Sequence, residues 1–478
     1  MTTRILIKGA AVVSMDPAIG ELERGDILVE DGRIVEVRPD IAASDAEIID
    51  ASDMIAMPGM VDTHRHTWQT GLRGILANGT IPDYLWGIRL QMAERYRAAD
   101  MYAGNYLGGL DALNQGVTTI VDYCHNILEP DYAHASVKGL LDSGVRALYG
   151  HGMVPITENT WADTKGGADT VASSSFGRRA DLAREIRSTY FTSEDQRVRF
   201  GIAPQELAIA PAAEVKQEFE LARELGARIT FHANQVNVRQ RFKDVEVMHA
   251  HDLLGDDLLL VHCTFNTPEE WELLDGTGTM ISVCAETEMQ MGMGFPAIEE
   301  ATRYTPGPSL GIDCTSSTNA DMISHARLVL QATRWHGDRE SYEKMAQSFT
   351  MHWTTQHALE WLTINGAKAA GVDDVAGSLT PGKRADIVLL DMSGVSQLGW
   401  NRREPGAQVI AQTNSGNVHT VLVDGQIVKR DGELTHVDLA AARRTLEESN
   451  AYLYEQMDQH GGFIPEPRLD LPLFRERA

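Results

Sequence analysis

The middle of the chain alternates short apolar, β-branched runs with longer stretches whose apolar residues recur at helical spacing. Eight runs stand out, at 57–66, 116–123, 145–151, 198–203, 228–232, 258–262, 279–284 and 308–313. Each is followed by a polar loop and then a helix-like segment. The segment 212–225, stopped by Gly226, is typical. Eight strand-then-helix units predict an α/β fold of the (β/α)₈ TIM-barrel type. An open doubly wound sheet is the alternative, but no G-x-G-x-x-G loop follows any of the strands.

The two ends follow a different pattern. Residues 27–35 and 421–428 are each a β-branched run, an Asp-Gly pair and a second β-branched run, the strongest short signal for a hairpin. Residues 385–391 add another strand. These segments predict one small β-sandwich built from both termini and closing over the barrel. The expected division is 1–56 and 376–434 for the sandwich, 57–375 for the barrel, and 435–478 for a C-terminal helix (438–459) followed by an extended, proline-containing tail (461–478).

Composition narrows the function. Lys and Arg number 42 against 68 Asp and Glu, a formal charge of −26 in 478 residues. Such a chain repels phosphate backbones and anionic lipid, which argues against nucleic-acid or membrane partners. No apolar run approaches the ~18 residues of a membrane helix. Lys8 interrupts the only N-terminal apolar stretch, so a cytoplasmic protein is expected. Cys124, Cys263, Cys284 and Cys314 form no C-x-x-C pair and read as small buried hydrophobes.

The chemistry gathers at strand ends. His64 and His66 stand two apart and share one face of the first strand. His232 ends the fifth strand, His262 the sixth and Asp313 the eighth. Catalytic groups of barrels sit at these C-terminal ends. Imidazole and carboxylate together suit Zn²⁺, Fe²⁺, Co²⁺ or Mn²⁺.

The stretch Pro58-Gly59-Met60-Val61-Asp62-Thr63-His64-Arg65-His66 resembles the first-strand signature of the amidohydrolase superfamily. The chain is similar to its cytosine-deaminase and triazine-hydrolase branch through Leu72-Arg73-Gly74, residues 116–122, Gly311-Ile312-Asp313 with Ser316, Ser317 and Asn319, and residues 365–369 and 377–386. The resemblance implies one divalent ion, Zn²⁺ first, held by His64, His66, His232 and Asp313. It also implies His262 beside the activated water and Asp313 as general base. No lysine ends the fourth strand, where Ala203-Pro204-Gln205 stands, so a carbamylated-lysine binuclear centre is not expected.

One departure matters. The branch carries a glutamate three residues after the fifth-strand histidine, and this chain has Gln235. An amide donates a hydrogen bond but transfers no proton. Gln235 is therefore expected in the catalytic set without acid function, with His125, His151, Glu286 or Glu288 as replacements. Gln69, Trp86, His125, His151, Glu288 and Met291 are the expected substrate-binding residues, in a pocket that suits a planar aromatic small molecule. The expected reaction is hydrolysis of a C–N bond of a cyclic or heteroaromatic compound, of deaminase type. Hydrolysis of an exocyclic amide, carbamate, urea or C–halogen bond is the alternative, and a catalytically silent binding homologue is a third. A homo-oligomer, dimer or tetramer, is expected from the resemblance.

Overall fold

The computed structural model describes residues 4–153, 175–208, 210–236 and 243–464. Eight parallel strands form one sheet in sequence order: β1 (Met60–Arg65), β2 (Val117–Cys124), β3 (Arg146–Gly152), β4 (Val198–Ala203), β5 (Arg228–Ala233), β6 (Leu258–His262), β7 (Met280–Val283) and β8 (Pro308–Leu310). Their residues are almost all buried, as parallel strands covered on both faces require. The sheet closes where the end of β1 meets the segment after β8. Arg65 bridges Asp313, the His66 N–H donates to the Asp313 carbonyl at 2.7 Å, and the Asp313 N–H donates to the His64 carbonyl at 2.8 Å.

Two strands differ from the sequence reading. The run at 57–66 is two strands, because Met54–Pro58 pairs within the other sheet and β1 starts at Met60. Gly59 makes the crossing, and a Cβ there would lie 2.0 Å from Thr118 Oγ1. The run at 308–313 leaves extended geometry after Leu310, and Asp313 takes φ +66°. His262, at the end of β6, takes φ +74°. Left-handed backbone at non-glycine residues is uncommon and concentrates at functional sites.

The second sheet has nine strands drawn from residues 4–58 and 387–434. Both expected hairpins lie in it. Their turn residues, Asp31-Gly32 and Asp424-Gly425, all have positive φ, as tight hairpin turns need. Ile5, Ile7, Val12, Ile27, Ile387, Leu389 and Leu422 share a core belonging to this sheet alone. Ala11, Val13, Ile55, Val388 and Val421 join the barrel core instead.

The helix Leu439–Gln459 is capped by Asp438, whose carboxylate accepts from the Ala441 N–H at 3.0 Å. It packs on the helix Ala98–Asn114, with Arg97 over the Tyr452 ring at 3.5 Å. Of the expected extended tail, residues 465–478 lie outside the described residues. All four cysteines are buried and free. Among the described residues no helix is long and apolar enough to cross a membrane.

Candidate metal centre

The strand ends bring His64, His66, His232, His262 and Asp313 together at one mouth of the barrel, all buried. Hydrogen-bond polarity fixes two of the rings. His66 Nδ1 lies 2.9 Å from the Tyr123 carbonyl, an acceptor, so Nδ1 carries the hydrogen. His232 Nδ1 lies 2.9 Å from Glu206 Oε1 and carries its hydrogen for the same reason. In the neutral rings the opposite nitrogens, both Nε2, are then lone pairs. His66 Nε2 faces Asp313 Oδ1 at 3.3 Å, and His232 Nε2 faces His64 Nε2 at 3.2 Å. His64 Nε2 is in turn 3.3 Å from Asp313 Oδ1.

Acceptors facing acceptors in a buried site are costly unless a cation lies between them. Donors at about 2.0–2.1 Å around a tetrahedral ion stand roughly 3.3 Å apart, the spacing found between His64 and both His232 and Asp313, and between His66 and Asp313. The donor set fits a divalent cation. Burial lowers the His232 ring to about 4 against the opposing pull of Glu206, which favours the neutral form a ligand needs.

His262 stands behind this set. Its Nδ1–H donates to Glu288 Oε1 at 3.1 Å, and its Nε2 is 3.9 Å from Asp313 Oδ2. Glu288 Oε1 also accepts from the Cys284 N–H at 2.8 Å. Burial pushes the His262 ring down, but Glu288 and Asp313 outweigh it and hold the ring above its ordinary value. Burial pushes Glu288 up.

A narrow cavity opens beside the donors. Its wall includes His66, His232 and Asp313, with Tyr84, Leu85, Arg89, Glu206, Gln235, Met291 and Met293. Of the residues expected to touch substrate, Met291 is at the wall, as is Gln235 of the expected catalytic set. Gln69, Trp86, His125, His151 and Glu288 are not. Gln69 lies behind Tyr84, its amide donating to the Tyr84 hydroxyl at 2.9 Å. Trp86 turns inward and is buried. His125 stacks flat on His66, centroids 4.1 Å apart, and is not part of the cavity wall. His151 points into the barrel wall against Tyr149 and Phe200, and burial lowers it to about 3, with His134 adding. Glu288 is covered by His262.

Glu206 and Arg89 escape sequence reasoning. Glu206 follows Gln205 on the loop after β4. It faces the cavity, accepts from His232 and lies 3.8 Å from the Arg89 guanidinium. Burial opposes its charge, but His232, Arg89 and His66 hold the carboxyl down at about 2. Arg89 sits in the π-helical turn Leu85–Met92, a form of helix that clusters at functional sites. The signal for Glu206 was its place one residue beyond a strand-end stretch. Arg89 gave none, since the π turn has no periodic signature.

Known proteins fit this picture. The chain is 28% identical over 442 residues to a 5-methylthioadenosine/S-adenosylhomocysteine deaminase of Symbiobacterium thermophilum, covering 90% of this chain and 94% of that one. It is 26% identical to a 5′-deoxyadenosine deaminase of Methanosarcina barkeri, over 91% and 94%. Its fold matches an adenosine deaminase from Xanthomonas campestris with bound zinc (TM-score 0.80, 22% identity, 95% and 99% covered). It also matches an atrazine chlorohydrolase from Arthrobacter aurescens complexed with zinc (TM-score 0.79, 22% identity, 94% and 100% covered). The model of the amidohydrolase family matches residues 55–428, most of the chain and all eight barrel strands, and the protein belongs to that family of enzymes.

Proposed function

We propose that the protein is a zinc-dependent hydrolase that displaces an amino group from a heteroaromatic small molecule with water. The observation that carries this reading is the convergence of lone pairs from His66 and His232 on His64 and Asp313, beside a cavity. His64, His66, His232 and Asp313 would hold the ion. Bound there, a divalent cation would lower the pKa of water from 15.7 toward about 7 and would polarise the electrophile.

The chain's own groups do the rest. Asp313 Oδ2 is turned from His64 and His66 toward His262, placed to take a proton from the attacking water and return it to the departing nitrogen. His262, oriented by Glu288, offers Nε2 to charge developing at the reacting carbon. Glu206 fixes the His232 tautomer, and such outer partners are worth 10–100-fold in metal affinity or activity. Gln235 supplies a neutral hydrogen bond where an acid is usual in related enzymes. Deaminases of 5′-deoxyadenosine and 5-methylthioadenosine among the relatives support an aminated heterocycle as substrate.

Gln235 also supports a second reading, displacement of a leaving group that departs as an anion and needs no proton, such as chloride. A chlorohydrolase among the structural neighbours is consistent with it. The test is one assay on zinc-loaded protein, following ammonia release from 5′-deoxyadenosine, 5-methylthioadenosine and aminated triazines, and chloride release from atrazine. Ammonia supports the first reading. Chloride without ammonia supports the second. Neither product, with one zinc per chain, overturns both.

A further inference from the structure

Tyr84 lies at the cavity wall beside His66, and its hydroxyl has two protein partners. Polarity decides what each partner does. The Trp68 indole N–H, which can only donate, reaches His125 Nδ1 at 3.1 Å. His125 Nδ1 is therefore an acceptor, and the ring carries its hydrogen on Nε2. That nitrogen lies 3.2 Å from Tyr84 Oη, so the ring donates and the tyrosine oxygen accepts. The Gln69 amide nitrogen donates to the same oxygen at 2.9 Å, its own carbonyl being held by the Ser316 hydroxyl at 3.1 Å. Both lone pairs of Oη are filled. The O–H hydrogen has no acceptor among the described residues, and Tyr84 lines the cavity.

We infer that Tyr84 is a substrate-binding donor, whose hydroxyl gives its hydrogen bond to an acceptor atom of the ligand, a ring nitrogen or a carbonyl oxygen. The inference rests on the hydrolase reading only for taking this cavity as the ligand site. Trp68, His125 and Gln69 act through Tyr84 as positioning residues. They explain why residues expected against the substrate stand one layer behind it. The donor would select ligands that carry an acceptor and, where charge builds on that atom during attack, would stabilise it. Together with Gln235 it gives the cavity two neutral donors, and no proton need leave either.

The test uses zinc-loaded protein and two probes of one shape, 2-aminopyrimidine, which has ring nitrogens flanking its amine, and aniline, which has none. Calorimetric titration of the wild type is expected to show 2-aminopyrimidine binding about five- to tenfold tighter, the range of one neutral hydrogen bond. Tyr84→Phe is expected to bring that ratio to within about twofold with aniline affinity and zinc content unchanged. A preference retained in Tyr84→Phe, or absent from the wild type, overturns the assignment. A second measurement does not depend on the variant's fold. Nitrogen-15 NMR of histidine-labelled wild type should show His125 protonated on Nε2, and protonation on Nδ1 would reverse the chain and overturn the donor. The two readings fail separately. Probe discrimination lost in Tyr84→Phe, with no ammonia or chloride from any substrate, keeps the donor and removes the hydrolase. Product release with the probe preference intact in Tyr84→Phe keeps the hydrolase and removes the donor.

Discussion

Both ends of the barrel bury charged and polar groups and arrange them in opposite ways. At the end facing the terminal sheet, Arg146 at the start of β3 donates to both oxygens of Asp386, at 2.8 and 3.0 Å, and also to Asp424. Arg197 donates to the other Asp424 oxygen at 2.7 Å, and the Asp424 N–H donates back to Asp386 at 2.8 Å. Burial opposes the Asp424 charge, but Arg146 and Arg197 hold its carboxyl below the ordinary value. Every acceptor there meets a donor. At the mouth, imidazole lone pairs meet each other and a carboxylate. The first network is complete in the protein alone and joins barrel to sheet. The second would be completed by a cation. Satisfaction of polar groups, rather than their number or burial, separates the structural end from the chemical one.

Mutations can break this contrast. His66→Ala should remove metal and at least about 100-fold of activity together, beyond the loss of an outer partner, while the urea midpoint of the metal-free protein stays nearly constant. Elemental analysis alongside the assay checks it, and full activity with intact metal would remove the ligand assignment. Arg146→Met should do the reverse. It leaves Asp386 and Asp424 buried without their main partner and should cost about 3–5 kcal/mol of stability, with metal content per folded chain unchanged. Glu206→Gln keeps the shape but loses the charged acceptor that holds His232 and should lower zinc affinity about 10–100-fold, read by competition with a chelator. An unchanged affinity would place Glu206 with the substrate only.

The smallest effect concerns a group that fits neither end. His325 is buried with no partner at either ring nitrogen among the described residues, and burial lowers it to about 4. Its folded value lies below its unfolded one, so the unfolded chain binds the proton first. Stability should therefore fall as pH drops from 6.5 toward 4, by about 2 kcal/mol between pH 8 and pH 5. His325→Phe should flatten that slope, and urea titrations at the two pH values test it.

The sequence made the barrel legible because most of the parallel strands are short apolar or β-branched runs, several with a chemically distinct residue at or near the end. His64, His66, His232 and His262 stand there, and Asp313 stands three residues beyond β8. The boundary between sheets was less legible, because residues 54–61 form one apolar stretch that spans both strands and only the crowding at Gly59 divides them. The cavity wall was least legible. Glu206 and Arg89 lie on irregular backbone, where neither period 2 nor 3.6 says which way a side chain turns. Gln69, His125 and Trp86 are the right kind of residue in the right loops, but packing puts each of them behind the wall.

The bridge between Arg65 and Asp313 has a consequence for how the protein comes into being. The first and last staves of the barrel carry His64, His66 and Asp313, and nearly the whole barrel separates them along the chain. During synthesis the half-site on the first stave waits until the ribosome has delivered the eighth. A nascent chain that has emerged only through β7 has the histidines but lacks the carboxylate that faces His64 and His66. Chemical competence therefore arrives in one late step, with the closing of the ring, and premature termination anywhere before it yields inert chains.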